Sequence, residues 1–278
     1  MDFQRTLRQT VDDYALMAKK ALGQNFLLDQ NITDKIISKS LEKQGLKDFA
    51  TKNVLEIGPG PGGLTRAILM RQPAKLSVVE MDERCINIMQ DLKRESGCDV
   101  DILNLDALKF DIQSLKNLPV QIVSNLPYNI SVPLLTGWLK NINHIEAMTL
   151  MFQKEVAERI MANPKTKEYG RLSVLAQLVC QIDKLLMLNP NCFVPAPKIF
   201  STVLLFRPLK NVPSNMLLQK VEQLTGYAFS GRRKMIRQSL KAVPDLENVA
   251  AKAGILLTAR AEEITPVQYL KLAECVLS

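Results

Sequence analysis

The 278-residue chain is poor in the residues on which several kinds of chemistry depend. It holds one histidine, His144, in the polar stretch NINHIEA, which reads as a surface or loop position. With no second histidine, most Ser-His and Cys-His catalysis is excluded. Five cysteines (Cys85, Cys98, Cys180, Cys192 and Cys275) are scattered, with no CxxC pair. Zinc requires clustered Cys or His ligands, so no metal site is expected, and an odd number of dispersed cysteines does not suit a disulfide framework. No stretch approaches the roughly 18–20 uninterrupted apolar residues of a membrane helix. The first residues, MDFQRTLRQTVDDYALMAKK, lack the apolar segment of a secretory signal. They carry Asp2, Asp12 and Asp13, which a transit peptide avoids, and a cytoplasmic protein is expected. Internal repeats and low-complexity segments are also missing.

The composition itself is 47% hydrophobic and 23% charged, that of a chain able to bury a full core. The length suits one large domain, or a medium domain with a small one. The net charge of +8 favours polyanionic partners, although charge by itself does not distinguish a nucleic-acid binder from other basic proteins.

Residues 53–153 alternate short apolar runs with helical patterns. The runs are NVLEIG (53–58), LSVVEMD (76–82), VDILNLDA (100–107), VQIVSNLP (120–127) and MTLMFQ (148–153), with helices expected at about 64–71, 83–96 and 131–141. Strands spaced by helices imply an α/β fold with a parallel sheet. An amphipathic helix, NITDKIISKSLEKQG, precedes them, with Ile32, Ile36, Ile37 and Leu41 at helical spacing and Gly45 at its end. KEVAERIMAN and RLSVLAQLVCQ then read as helices, and KLLMLN and STVLLFRP as strands separated by the turn-rich FVPAPKIF. Beyond Pro208 and Pro213 the pattern is all helical, at about 214–229, 233–242, 246–253 and 266–277. A boundary at 208 is therefore expected, with a catalytic domain over 1–208 and a small all-α domain over 209–278.

Four signals mark a site. The first is Glu56-Ile57-Gly58-Pro59-Gly60-Pro61-Gly62-Gly63 at the end of the first run, where glycines allow a sharp turn and close approach of a ligand. Gly58, Gly60 and Gly63 fit GxGxxG, a pattern shared by NAD, FAD and S-adenosylmethionine sites. Pro59 and Pro61 remove N–H donors that a pyrophosphate would use, which favours the last of these. The second signal is Glu80, 22 residues after Gly58, placed to accept ribose hydroxyls in any nucleoside cofactor. The third is Asp106, suited to a cofactor's adenine amino group, while Asp111 reads as a surface or cap residue.

The fourth signal is Asn125-Leu126-Pro127-Tyr128 after the fourth run. The exocyclic amine of adenine is a poor nucleophile because its lone pair is delocalised into the ring. An Asn side-chain oxygen together with a backbone carbonyl can accept both N–H groups, turn the lone pair outward and stabilise the positive charge that develops. A proline fixes the turn, and Tyr128 offers a face on which an extruded base stacks.

Together these segments resemble the KsgA family of ribosomal RNA adenine dimethyltransferases over nearly the whole chain. The matching segments are Ala21-Leu22-Gly23-Gln24-Asn25-Phe26-Leu27, the loop from Glu56 to Thr65, and NLPYNIS from Asn125 to Ser131. MFQKEVAERI, KEYGRLSVLAQ, FVPAPKIFST and FSGRRKMIRQSL also match. Ile199-Phe200 departs from the family, which often has Val and Asp there. The resemblance implies a Rossmann-like S-adenosylmethionine-dependent methyltransferase domain with a small all-α C-terminal domain. It implies cofactor contacts at Asn25, Leu27, Gly58, Gly60, Glu80, Asp106 and Asn125, and catalysis at Asn125 to Tyr128. Phe193 would stack on the second face of the target base.

The substrate so implied is two adjacent adenosines in the hairpin loop near the 3′ end of 16S rRNA, each dimethylated on a small-subunit (30S) particle late in its assembly. Unpaired bases of a loop are cheaper to extrude than bases of a duplex. The enzyme is expected to be a monomer. From Tyr227 to Lys241 there are five basic residues and no acidic one, Arg232, Arg233, Lys234, Arg237 and Lys241; positions 233, 237 and 241 share a face of the expected helix and 234 lies close to it, a stripe that can track RNA. Met235, Ile236 and Leu240 are expected to face the core. Three alternatives remain: an Erm-type 23S rRNA methyltransferase, a catalytically silent RNA-binding assembly factor, and a nucleotide-dependent oxidoreductase. The intact loop, Glu80 and Asn-Leu-Pro-Tyr speak against the second.

Overall fold

The computed structural model describes residues 3–16 and 25–277. Ala21, Leu22, Gly23 and Gln24 lie outside the described residues. Contacts divide the chain into two compact units, 1–154 with 183–207, and 155–182 with 208–278. The sequence places one join, at 208. The contacts also assign the segment 155–182 to the helical unit.

The first unit is built on a seven-stranded sheet. Its strands are β2 (Asn53–Ile57), β3 (Lys75–Glu80), β4 (Val100–Asn104), β5 (Val120–Ser124), β6 (Ile145–Gln153), β7 (Cys180–Leu188) and β9 (Ser201–Pro208). They lie in the order β4-β3-β2-β5-β6-β9-β7. β4, β3, β2, β5 and β6 run parallel, and β9 pairs antiparallel with β6. β5 is buried along its whole length and β2 nearly so, the pattern of parallel strands covered on both faces. The covering helices are α2 (Gln30–Gln44), α3 (Gly63–Leu69), α4 (Glu83–Ser96) and α5 (Tyr128–Lys140). From β2 the chain proceeds through β3 and β4 to one side, then returns through β5 to the other. The strand order therefore reverses between β2 and β5, and a crevice opens there at the strands' C-terminal ends.

An N-terminal helix and a pair of two-residue strands have no counterpart in the sequence reading. Helix α1 (Leu7–Asp13) begins with a Thr6–Gln9 capping box. It is held by the buried Arg66, whose guanidinium donates to the Arg5 carbonyl and, at 2.9 Å, to Thr10 Oγ1. A two-residue strand, β1 (Phe26–Leu27), pairs with β8 (Phe193–Val194), Leu27 opposite Phe193.

The second unit holds α7 (Arg171–Val179), α8 (Asn215–Phe229), α9 (Ile236–Ser239), α10 (Leu246–Lys252) and α11 (Pro266–Leu277), together with most of α6 (Lys154–Met161). Its core includes the Phe229 ring between Tyr169 and Tyr269, each with centroids 6.1 Å away. Burial of both tyrosines is completed by hydroxyls that donate to Ile264 O and Ala261 O at 2.9 Å. The expected helix over 233–242 is corrected to four residues. Met235 is extended and bridges Arg260, and the Ile236 and Arg237 N–H groups donate to Ala259 O and Leu257 O. Those donors serve the 257–260 segment, so residues 231–234 form a turn. Ile236 and Leu240 are buried as expected, whereas Met235 is half-buried. Among the described residues no helix is long and apolar enough to cross a membrane, and no cluster of His, Cys, Asp and Glu is placed to hold a metal ion.

Candidate active site

The reversal point carries a cavity. Its walls come from the ends of β2, β3 and β5 and from β1, and it gathers every residue assigned from sequence to catalysis or cofactor binding: Asn25, Leu27, Gly58, Gly60, Glu80, Asp106 and Asn125 to Tyr128. These positions span about a hundred residues of chain, and the parallel topology brings them to one rim.

The floor is the loop after β2. Gly58, Gly60 and Gly62 have φ of +64°, +55° and +85°, a region open to glycine and strained for other residues. The Gly58 N–H donates to Val79 O at 2.9 Å, and Ser124 Oγ donates to Ile57 O at 2.5 Å, tying β3 and β5 to the loop's start. Gly63 opens α3 against β1, and a Cβ there would stand 2.5 Å from the Leu27 carbonyl oxygen. Backbone meets backbone at that point, so neither side yields without displacing β1. Gly63→Ala is expected to cost about 1–3 kcal/mol of stability and to weaken S-adenosylmethionine binding more than tenfold. Thermal unfolding and cofactor titration check this.

Glu80 closes one side. Its Oε1 accepts the Met81 and Asp82 N–H groups at 2.8 and 2.9 Å, which fixes the carboxylate. Burial raises its pKa, against backbone hydrogen bonds from Asp82, Met81 and Gly60 that lower it. Asp106 accepts the Leu108 N–H at 3.0 Å at the head of a short turn. Asp111, expected as a surface or cap residue, caps the next turn through the Gln113 N–H. Met81 and Leu108, both more than half exposed, add apolar surface at the cavity's rim that suits a flat heterocycle.

Glu56 also lines the cavity, and no role for its side chain follows from the sequence reading. It is 1% exposed, and its Oε2 has no hydrogen-bond partner among the described residues. Burial pushes its pKa up to about 8; a Thr65 side-chain hydrogen bond opposes the shift and the Glu80 charge adds to it. The signal that marks it is a lone acidic side chain within the otherwise apolar NVLEIG.

Pro59 and Pro61 stiffen the loop and lack the N–H donors a pyrophosphate would use, while the buried acids beside it offer acceptors to a nucleoside that carries an ammonium. The orphaned Glu56 oxygen and the glycine cradle therefore fit S-adenosylmethionine, with its ammonium and sulfonium, and do not fit NAD.

On the opposite wall, Asn125 Nδ2 donates to Asn25 O at 3.2 Å. The Pro127 carbonyl accepts the Ile130 N–H at 3.1 Å as α5 begins. The half-buried Tyr128 pairs its hydroxyl with Ser201 Oγ at 2.6 Å, and burial raises its pKa against that bond.

The remaining expectations fall elsewhere. Phe193 is 2% exposed in the hydrophobic core, paired with Leu27, and does not line the cavity. It supports β1 from behind, because pairing in β8 turns its ring into the core. Arg232, Arg233, Lys234, Arg237 and Lys241 are all exposed, on a turn and a short helix rather than on one helical face. Of these, Arg232 is engaged within its unit: its guanidinium donates to Lys167 O at 2.8 Å and to Tyr169 O, with Glu262 3.9 Å away.

Comparison with known proteins gives one consistent result. Residues 15–277 match the family described as ribosomal RNA adenine dimethylase. A protein of Rhodospirillum rubrum named "Ribosomal RNA small subunit methyltransferase A" is 41% identical over 270 residues, 97% of this chain and 92% of that protein. A protein of the same name from Cereibacter sphaeroides is 44% identical over 96% of this chain and 95% of its own length. Among solved structures, a dimethyladenosine transferase from Plasmodium falciparum superposes with a TM-score of 0.72 at 25% identity, covering 88% of this chain and 94% of that one. The 23S rRNA methyltransferase ErmE shares the fold, with a TM-score of 0.67 at 24% identity over 91% of this chain and all of its own.

Proposed function

The chain belongs to the ribosomal RNA adenine dimethylase family, and from that premise we propose that it dimethylates the N6 of two adjacent adenosines in the hairpin loop near the 3′ end of 16S rRNA, on small (30S) subunits late in assembly. It is an S-adenosylmethionine-dependent enzyme acting on ribosomal RNA, and in this reading it works as a cytoplasmic monomer. The relatives' shared name directs the choice to small-subunit RNA rather than to the large subunit.

The observation that carries the reading is the Asn125 amide. Its Nδ2 is held by the Asn25 carbonyl, which fixes the amide plane and leaves Oδ1 as the acceptor at the cavity wall. Bound S-adenosylmethionine supplies an electrophilic methyl group. The chain's own residues do the remainder. Asn125 Oδ1 accepts one N–H of the target amine. A backbone carbonyl of the Asn125–Tyr128 turn accepts the other. The two bonds turn the nitrogen lone pair toward the cofactor side and stabilise the charge that develops on nitrogen. Tyr128, steadied by Ser201, supports the extruded ring from one face. Glu80 holds the ribose, Glu56 the ammonium, and Asp106 the adenine of the cofactor, with Gly58 and Gly60 allowing close approach. Asn25 and Leu27 close the cavity from the β1 side.

The test is transfer of labelled methyl to undermethylated small subunits, with large subunits as control. Label recovered as N6,N6-dimethyladenosine in the small-subunit 3′ hairpin is the expected result. Label in large-subunit RNA, or none, overturns the reading.

The exposed Arg233, Lys234, Arg237 and Lys241 are the proposed phosphate contacts of the helical unit. Each phosphate neutralised contributes about −0.7 to the slope of log K against log salt on single strands. Arg233→Glu with Lys234→Glu is therefore expected to weaken RNA binding and to flatten that slope by about 1 or more. Filter binding at several salt concentrations reads it.

A further inference from the structure

We propose that Arg84 is a positioning residue for the cofactor, locking helix α1 to the turn that presents Glu80, so that docking of α1 and binding of S-adenosylmethionine stabilise each other. This rests on the cofactor assignment above and not on which RNA is methylated.

Neither Arg84 nor any residue of α1 lines the cavity, yet a short chain of bonds joins them to it. Glu80 Oε1 accepts the Asp82 N–H at 2.9 Å. Both oxygens of the Asp82 carboxylate are taken by the Arg84 guanidinium, from Nε at 3.0 Å and from Nη2 at 2.7 Å. The Asp82 side chain is 6% exposed, and this fork fixes the plane of the guanidinium. Its third nitrogen, Nη1, donates to the Ala15 carbonyl at 3.1 Å. Ala15 lies just past the end of α1, with φ of +45°. That left-handed conformation is costly for alanine and persists only where its surroundings impose it. Here the Ala15 and Leu16 N–H groups donate back to Asp12 O and Val11 O at 3.1 and 2.8 Å, Leu16 is 1% exposed, and Arg84 holds the carbonyl.

A second set of contacts joins the N-terminal segment to α3, the helix that the cavity-lining Gly63 opens. Arg66 of α3 is 5% exposed, and a buried guanidinium is costly unless its donors are met. The Arg5 carbonyl and Thr10 Oγ1 meet them, with the Phe3 ring 5.0 Å away. Leu7 Cδ1 comes within 3.4 Å of the place a Gly63 Cβ would take. The segment is thus tied to both the glycine loop's helix and the ribose carboxylate's turn. A cofactor that holds Glu80 and Gly63 in place then holds α1 as well, and the reverse follows by linkage.

Calorimetric titration with S-adenosylmethionine and hydrogen exchange of residues 7–14, both on the full chain without RNA, test this. In the wild type the cofactor is expected to slow exchange of the α1 amides roughly fivefold or more. Arg84→Ala should raise the cofactor Kd on the order of tenfold and abolish that slowing. Arg84→Lys, which cannot form the fork and reach the carbonyl together, should fall between. Thr10→Val keeps the shape of α1 and takes one acceptor from Arg66, and it should raise Kd severalfold although Thr10 does not line the cavity. Lys75→Ala breaks ion pairs at the opposite end of β3 and should leave both readings unchanged. Exchange in wild-type α1 that ignores the cofactor overturns the proposal, as does an unchanged Kd in Arg84→Ala or Thr10→Val. An equal loss in Lys75→Ala also overturns it, because the effect would then be one of general instability. A wild type that fails to bind S-adenosylmethionine overturns the cofactor assignment instead, an outcome distinct from these.

Discussion

Asn125→Ala should reduce methyl transfer by about 10²–10³-fold, the usual cost of removing one preorganised hydrogen-bonding group that acts at the transition state, while RNA binding stays close to wild type. The separation follows from where the residue sits. Asn125 is half-buried in the cavity wall of the first unit, whereas the basic residues proposed for RNA contact lie in the second. Truncation removes both halves of the amide: the Oδ1 that orients the amine and the Nδ2 that ties β1 through the Asn25 carbonyl. Asn125→Asp separates them. It keeps an acceptor oxygen, loses the donor to Asn25, and brings a carboxylate toward a carbonyl and toward Glu56 and Glu80. An intermediate rate with weakened cofactor binding is expected of it. Single-turnover transfer, cofactor titration and sedimentation with small subunits distinguish the two losses. Turnover of Asn125→Ala within twofold of wild type would sink the amine-orienting role.

Much of this site was legible because its chemistry is written in local patterns. The five parallel strands announce themselves as short apolar runs at regular spacing, and the loop, Glu80, Asp106 and Asn125 each lie at the C-terminal end of such a run. Strand ends on one edge of a parallel sheet converge, so listing them sufficed to assemble the wall. The misses share a physical cause. β1 and β8 are two residues each, too short for any period, and their pairing joins chain segments far apart in sequence. Phe193 could not be told from a surface clamp until that pairing turned it inward. Helix α1 depends on Arg66, whose reach to Arg5 and Thr10 is a tertiary fact. The basic segment near 233 carries a helical pattern, yet its backbone donors are drawn to 257–260, an override that no window of local sequence contains. Glu56 was visible as a letter but not as a buried acid, because only the packed sheet shows that its Oε2 has no hydrogen-bond partner among the described residues.

That buried acid yields the other large effect. Glu56 has an ordinary pKa of 4.5 when exposed and about 8 in the folded chain, with burial as the main cause. A raised carboxyl pKa means that the folded state holds the proton while the unfolded state releases it. Folding is therefore unpenalised below about pH 4.5, and stability is lost progressively as pH rises toward 8. At pH 7 the loss is on the order of 3 kcal/mol. Glu56→Gln has nearly the same shape and nothing to ionise. The variant without cofactor should therefore be more stable than wild type by about that amount at pH 7, and by little at pH 4. In melting temperature this is a gain of roughly 5–10 °C at neutral pH. The same change removes the carboxyl that would ionise once the cofactor's ammonium lies beside it, so S-adenosylmethionine should bind the stabilised variant more weakly. A catalytic fold that keeps a destabilising acid in its core is then explained by what the acid holds. Scanning calorimetry of both proteins at pH 5 and pH 8 decides the matter. A variant less stable than wild type at pH 8 would mean that Glu56 is ionised and satisfied in the empty site, and its assignment to the ammonium would lose its physical basis.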